Sequence, residues 1–139
     1  METVSKSESQ TQKIGEEFAK NLKAGDVVAI YGDLGAGKTV FVKGLAIGLG
    51  IKKRITSPTF TFIKTYKTKN TTVHHVDLYR GENIRDLEAL GLPEIFSKRA
   101  IVVIEWADRI KESLPKKRWE VFLELENETT RRIKITTPQ

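Results

Sequence analysis

The residues with the clearest chemistry lie in Gly32-Asp33-Leu34-Gly35-Ala36-Gly37-Lys38-Thr39. This stretch fits G-x-x-x-x-G-K-[ST], the phosphate-binding P-loop, at every specified position. Gly32, Gly35 and Gly37 have no Cβ and can adopt positive φ, so successive N–H groups can converge on one phosphate. A helix that starts after them adds its positive dipole end and its unpaired amides. Lys38 can reach the β- and γ-phosphates as a point charge, and Thr39 offers a hydroxyl to Mg²⁺. The competing reading is a glycine turn that happens to carry a lysine. It is disfavoured by the apolar run Val27-Val28-Ala29-Ile30-Tyr31 before the loop and the helical opening Val40-Phe41-Val42-Lys43-Gly44-Leu45-Ala46 after it.

A magnesium site needs a second acidic group. Glu105 closes the apolar run Ala100-Ile101-Val102-Val103-Ile104. It therefore falls at the carboxyl end of a buried strand, where open α/β sheets bind their ligands. Its contact with the metal could be direct or through water, and the bland alternative is a surface charge ending a strand. His75 and Asp77 lie two apart on a strand and share a face. They could orient an attacking water or a metal-bound one, or they could merely be polar positions on a solvent-facing hairpin. Thr59, in Ser57-Pro58-Thr59-Phe60, could reach the metal as a switch loop does. There is no N-K-x-D, so adenine is a better base than guanine and ATP is the expected nucleotide. No arginine-rich insertion resembling the lid of a small-molecule kinase is present.

These groups need elements to hold them. Ser9 and Gln12 fit an S-x-x-Q capping box for a first helix, with Ile14, Phe18 and Leu22 on one face. Gly25-Asp26 ends that helix and leads into the strand at 27–31. The helix after the P-loop stops at the glycines of 48–50. Residues 61–66 and 72–79 read as a hairpin, 83–90 as a short helix, and 94–96 as a helical turn. Residues 100–106 form a central parallel strand and 108–114 a helix ended by Pro115. In 119–126, Val121, Leu123 and Leu125 alternate with charge; Ile133 and Ile135 mark a last strand paired to it.

The chain has 139 residues, enough for one domain, and no cysteine, so neither a disulfide framework nor a cysteine metal site is available. No apolar run approaches a membrane span, and the polar start does not read as a secretory signal. A soluble cytoplasmic protein is expected, residues 1–139 forming a single P-loop ATPase domain with 1–8 a flexible lead. The formal charge is +6 and the pI about 9.5. Basic clusters at Lys52-Lys53-Arg54, Lys98-Arg99, Lys116-Lys117-Arg118 and Arg131-Arg132 could attract nucleic acid, ATP or an acidic partner, or could simply be solvated charge.

Four blocks carry a family resemblance: the P-loop, Ser57-Pro58-Thr59-Phe60, His75-Val76-Asp77-Leu78-Tyr79-Arg80, and Ile104-Glu105-Trp106. Over residues 11–132 the chain resembles the TsaE family (also called YjeE or YdiB), bacterial P-loop ATPases required for making threonylcarbamoyladenosine in tRNA. The resemblance implies a three-layer α/β fold with a mixed, partly parallel sheet. It implies that Asp33, Leu34, Gly35, Ala36, Gly37, Lys38 and Thr39 cradle ATP. Thr39 and Glu105 would be the Mg²⁺ ligands, Thr59 part of a switch-like loop, and Asp77 an aid to hydrolysis. Trp106 would lie beside the nucleotide and Thr11 near the adenine, and either Arg131 or Arg132 would approach the nucleotide. The implied partner is the TsaB–TsaD heterodimer, reset by ATP hydrolysis between turnovers, with tRNA reached through that complex. A small P-loop kinase and a nucleotide-gated adaptor that binds tRNA directly are the alternatives.

Overall fold

A computed structural model describes residues 1–32, 37–52, 63–77, 95–96 and 99–138. Among them, seven strands form one sheet: β1 (Glu2–Ser5), β2 (Val27–Tyr31), β3 (Ile63–Lys67), β4 (Thr72–Asp77), β5 (Ala100–Glu105), β6 (Trp119–Leu125) and β7 (Arg131–Thr136). Their order across the sheet is β1-β7-β6-β2-β5-β4-β3. The four inner neighbours β6, β2, β5 and β4 are mutually parallel, while β1, β7 and β3 join antiparallel to their neighbours. The mixed α/β architecture expected from the sequence is the one observed.

The sheet is covered on both faces. Helices α1 (Glu8–Ala19) and α2 (Lys38–Gly48) lie on one side and a 3-10 helix (Ala107–Ser113) on the other. Fully buried strands explain the apolar runs of β2 and β5: all of β5 is buried, as is β2 up to Tyr31. One core joins Phe18 of α1 and Phe41, Val42 and Leu45 of α2 to Val28, Ile30, Ile101, Val103, Val121 and Ile133. Burying Phe41, which is 0% exposed, contributes roughly 1.5–3 kcal/mol. The second core joins Ala29, Val102 and Ile104 to Ala107, Ile110 and Leu114. In β6, Val121 and Leu123 point inward as their alternation predicts, but Leu125 is exposed at the strand end.

Helices α1 and α2 approach closely through two glycines. A Cβ on Gly44 would collide with the backbone carbonyl of Gln12, and one on Gly15 with that of Phe41. Only glycine allows this approach.

Three expectations at the amino terminus change. The capping box lies two residues earlier: Ser7 Oγ accepts from Gln10 N, and Gln10 Oε1 accepts from Lys6 N. The motif S-x-x-Q occurs twice in Ser7-Glu8-Ser9-Gln10-Thr11-Gln12, and the first copy starts the helix. The helix also ends at Ala19, capped by Lys20 N–H bonding back to Glu17 and Phe18, well before Gly25. The segment expected as a flexible lead contains β1, whose residues pair with Arg131, Arg132, Ile133 and Lys134 of β7. Its last residue, Ser5, is fully buried with its hydroxyl 2.6 Å from that of Thr11. The short helix expected at 83–90, Glu94 of the turn at 94–96 and the Ser57-Pro58-Thr59-Phe60 block lie outside the described residues.

Candidate functional site

The topology brings the candidate residues to one edge. Parallel β2, β4 and β5 all end on the same side, so Gly32, Asp77 and Glu105 emerge together. Asp77 pairs in register with Glu105, and Glu105 with Ile30. Partners in register share a face, and here it is the face covered by α1 and α2. Because β7 runs the other way, its first residue, Arg131, reaches this edge, beside Ser5 at the end of β1. In an open α/β sheet this is where ligands bind.

Helix α2 begins here. Gly37 is its N-cap at φ 95°, a left-handed conformation that favours glycine, and it caps the helix with no side-chain hydrogen bond. A helix N-terminus of this kind, with its amides and positive dipole end at the sheet edge, is suited to an anion. Lys38, the first helical residue, is buried at 6% exposure. Its ammonium donates to the carbonyl of Gly32 and sits 3.4 Å from the centre of the Trp106 ring, a cation–π contact. Thr39, next on the helix, is exposed. Asp33, Leu34, Gly35, Ala36 and Thr59 lie outside the described residues.

Trp106 is the one non-glycine residue with positive φ among those described (φ 60°, ψ 40°). Left-handed backbone at a bulky residue is strained, of order 1–3 kcal/mol, and such strain clusters at functional sites. It follows Glu105 directly and turns the chain from β5 into the 3-10 helix, which brings the indole over Lys38.

Glu105 is 4% exposed and His75 3% exposed, and His75 Nε2 donates to Glu105 Oε2 at 2.6 Å. His75 is thus not a solvent-facing hairpin residue. Its face mate Asp77 is half-buried. His74, on the opposite face, meets Thr65 Oγ1 at 2.9 Å, and burial pushes its pKa down.

Thr11 is buried, its hydroxyl engaged with Ser5 and the Ser7 carbonyl. Its methyl borders Gly37: a Cβ there would lie 3.7 Å from Thr11 Cγ2 and 3.5 Å from Arg131 Nε. Arg131 is therefore the arginine beside the loop. Arg132 points away, exposed, and bonds Glu126 and Glu2. Strand parity carried this answer, since Arg131, Ile133 and Ile135 alternate onto one face.

Sequence reasoning also missed Tyr31, on the opposite face of the sheet just before Gly32. It stacks on Phe122 (4.8 Å between centroids) and donates to Glu120 (2.9 Å), which also takes Arg118 (3.3 Å). Burial first, then bonding to Glu120, pushes the phenol up to about 12.

The family model described as threonylcarbamoyl adenosine biosynthesis protein TsaE matches residues 5–133. Curated TsaE proteins are similar over most of their length. That of Bacillus subtilis is 42% identical over 127 residues, 91% of this chain and 79% of its own. That of Treponema pallidum is 43% identical over 115 residues, 83% and 84% respectively. That of Aquifex aeolicus is 36% identical over 138 residues, 96% and 94% respectively. The crystal structure of B. subtilis YdiB superposes with a TM-score of 0.82 at 34% identity, covering 100% of this chain and 86% of that one. With a P-loop fold, a matching family model and relatives at this level, the chain belongs to the TsaE family of tRNA threonylcarbamoyladenosine biosynthesis proteins.

Proposed function

We propose that the protein is a Mg²⁺-dependent ATPase that serves threonylcarbamoyladenosine formation in tRNA by acting on the TsaB–TsaD heterodimer, tRNA being reached through that complex. The observation that carries this is the meeting of Lys38, Gly37 at the N-terminus of α2, and the Asp77–Glu105 pair at one sheet edge.

The donor set fits magnesium. Thr39 and Glu105 offer hard oxygen ligands, and among the described residues no cluster of three histidine, cysteine or acidic side chains competes as an all-protein cage. Magnesium keeps several waters and shares its shell with substrate phosphates, so few protein ligands suffice. When bound, it would neutralise charge on the β- and γ-oxygens. Lys38 and the α2 amides would hold the same phosphates. Asp33, Leu34, Gly35 and Ala36 would complete the cradle, and Thr59 would close on it. Asp77 would position the water that attacks the γ-phosphorus as the bond to ADP breaks. Arg131, not Arg132, would reach the nucleotide beside Thr11, with Trp106 on the other side of Lys38.

Phosphate release with and without purified TsaB–TsaD tests this reading. The expected result is slow release alone, stimulation by the pair, and loss of the stimulated rate in Lys38→Ala and Glu105→Ala. Full hydrolysis by either variant would sink the assignment, and a phosphorylated acceptor would point to a kinase instead.

A further inference from the structure

The buried pair His75–Glu105 takes the site one residue further. The two side chains come from neighbouring parallel strands and are thirty positions apart in sequence. His75 pairs in register with Val103, one pleat back from the row that holds Asp77 and Glu105. Seen from the sheet edge, it reaches Glu105 from behind. A carboxylate has two oxygens, and the bond engages only Oε2. With the carboxylate oxygen as acceptor, the bond is donated from His75 Nε2.

This arrangement is expensive if it serves packing alone. His75 Nδ1 is buried and has no hydrogen-bond partner among the described residues. An unsatisfied buried polar atom costs roughly 1–3 kcal/mol. The neighbours Val73 and Val76 show that β4 accepts aliphatic side chains at full burial. A valine or leucine at 75 would avoid the orphan atom, but it would leave Glu105 without this hydrogen bond.

We propose that His75 is the positioning residue for Glu105, holding one carboxylate oxygen from inside the sheet so that the other faces the cation carried by the nucleotide. The inference rests on the reading of Glu105 as a metal ligand. Ligating carboxylates are commonly oriented by such outer partners, whose loss weakens metal binding by about 10–100-fold. Buried one pleat behind Glu105, His75 would itself touch neither nucleotide nor metal.

The test uses the full chain and Mn²⁺ as the probe, with its affinity for the protein–ADP complex read by electron paramagnetic resonance. ADP affinity in EDTA is measured alongside. His75→Leu is expected to weaken Mn²⁺ binding about 10–100-fold and leave ADP affinity in EDTA unchanged. His75→Gln keeps a donor at a similar reach and is expected to restore most of the loss. Wild-type Mn²⁺ affinity in His75→Leu overturns the proposal, as does an equal loss in both variants. Should His75→Leu not fold, nitrogen-15 spectra of the wild-type imidazole decide: the Nε2 proton persists on Mg²⁺–ADP loading, and its disappearance overturns the proposal. Glu105→Ala separates the two levels. If it binds Mn²⁺ as tightly as wild type, the metal role of Glu105 falls and the inference with it. If Glu105→Ala loses Mn²⁺ and His75→Leu does not, only the inference falls.

Discussion

The carboxyl edge of the sheet and the seam between α1 and α2 are built on opposite principles. The five buried polar or charged residues among those described, Ser5, Thr11, Lys38, His75 and Glu105, lie at or just behind the edge. So do the strained Trp106 and the left-handed Gly37. Burying a charge is costly without a partner, and among the described residues nothing satisfies His75 Nδ1. The seam is apolar: Gly15 and Gly44 let two backbones touch, with Phe18 and Phe41 (5.9 Å between centroids) beside them. Close apolar packing stabilises there what the edge gives up for chemistry. Substitutions at the two regions should therefore separate activity from stability.

The largest separation is expected at Lys38. Lys38→Met should lower partner-stimulated phosphate release by about 10²–10³-fold, the scale of losing one preorganised donor to a transferring phosphoryl group. Its melting temperature should barely move, because a costly buried charge leaves with the lysine. A fall in melting temperature as large as that of a seam variant would break the contrast. Gly44→Ala is that seam variant. Its methyl meets the Gln12 carbonyl, and overpacking of this kind costs about 1–3 kcal/mol, read as a lower denaturant midpoint with an unchanged slope.

Within the edge itself, Arg131→Ala should weaken ATP binding about tenfold, as loss of a charged hydrogen bond to phosphate would. Arg132→Ala should leave ATP affinity alone, since its guanidinium is engaged with Glu126 and Glu2. Equal effects in isothermal titration would erase the distinction drawn from β7. The smallest effect is at Tyr31. Its phenol is raised from 10.0 to about 12 in the folded protein. The stability it contributes is thus full below pH 10 and lost as pH rises towards 12. Tyr31→Phe should flatten the alkaline limb of a denaturation series in that window, and the tyrosinate absorbance that the variant loses should be a late-titrating component.

The edge was partly legible in the sequence and the seam hardly at all. Local patterns located Gly37, Lys38 and Glu105, because a glycine loop and an apolar run closed by an acid are each written in consecutive residues. The His75–Glu105 bond is not written that way. It depends on the register of β4 against β5, which no local spacing encodes, so His75 was paired only with Asp77, its neighbour on the strand. Arg131 is legible from parity with Ile133 and Ile135, which puts it on the face of β7 that meets α1 and α2. Thr11 was placed near the nucleotide by resemblance, but its bond to Ser5 needed β1, whose short polar sequence carries no strand signal. Gly15 and Gly44 look like weak points in helices until the crossing is seen, because glycine in a helix marks close approach only when its neighbour is known.

Lys38 over the indole of Trp106 has an optical consequence. The chain holds two tryptophans. Trp119 packs edge-on against Phe18, 5.2 Å between centroids, at the start of β6 and so at the other end of the parallel strands from the candidate site. Trp106 has an ammonium 3.4 Å from its ring centre. A phosphate that drew that charge off the ring would change the field on one indole and leave the other as an internal standard, so tryptophan fluorescence would report what the lysine holds.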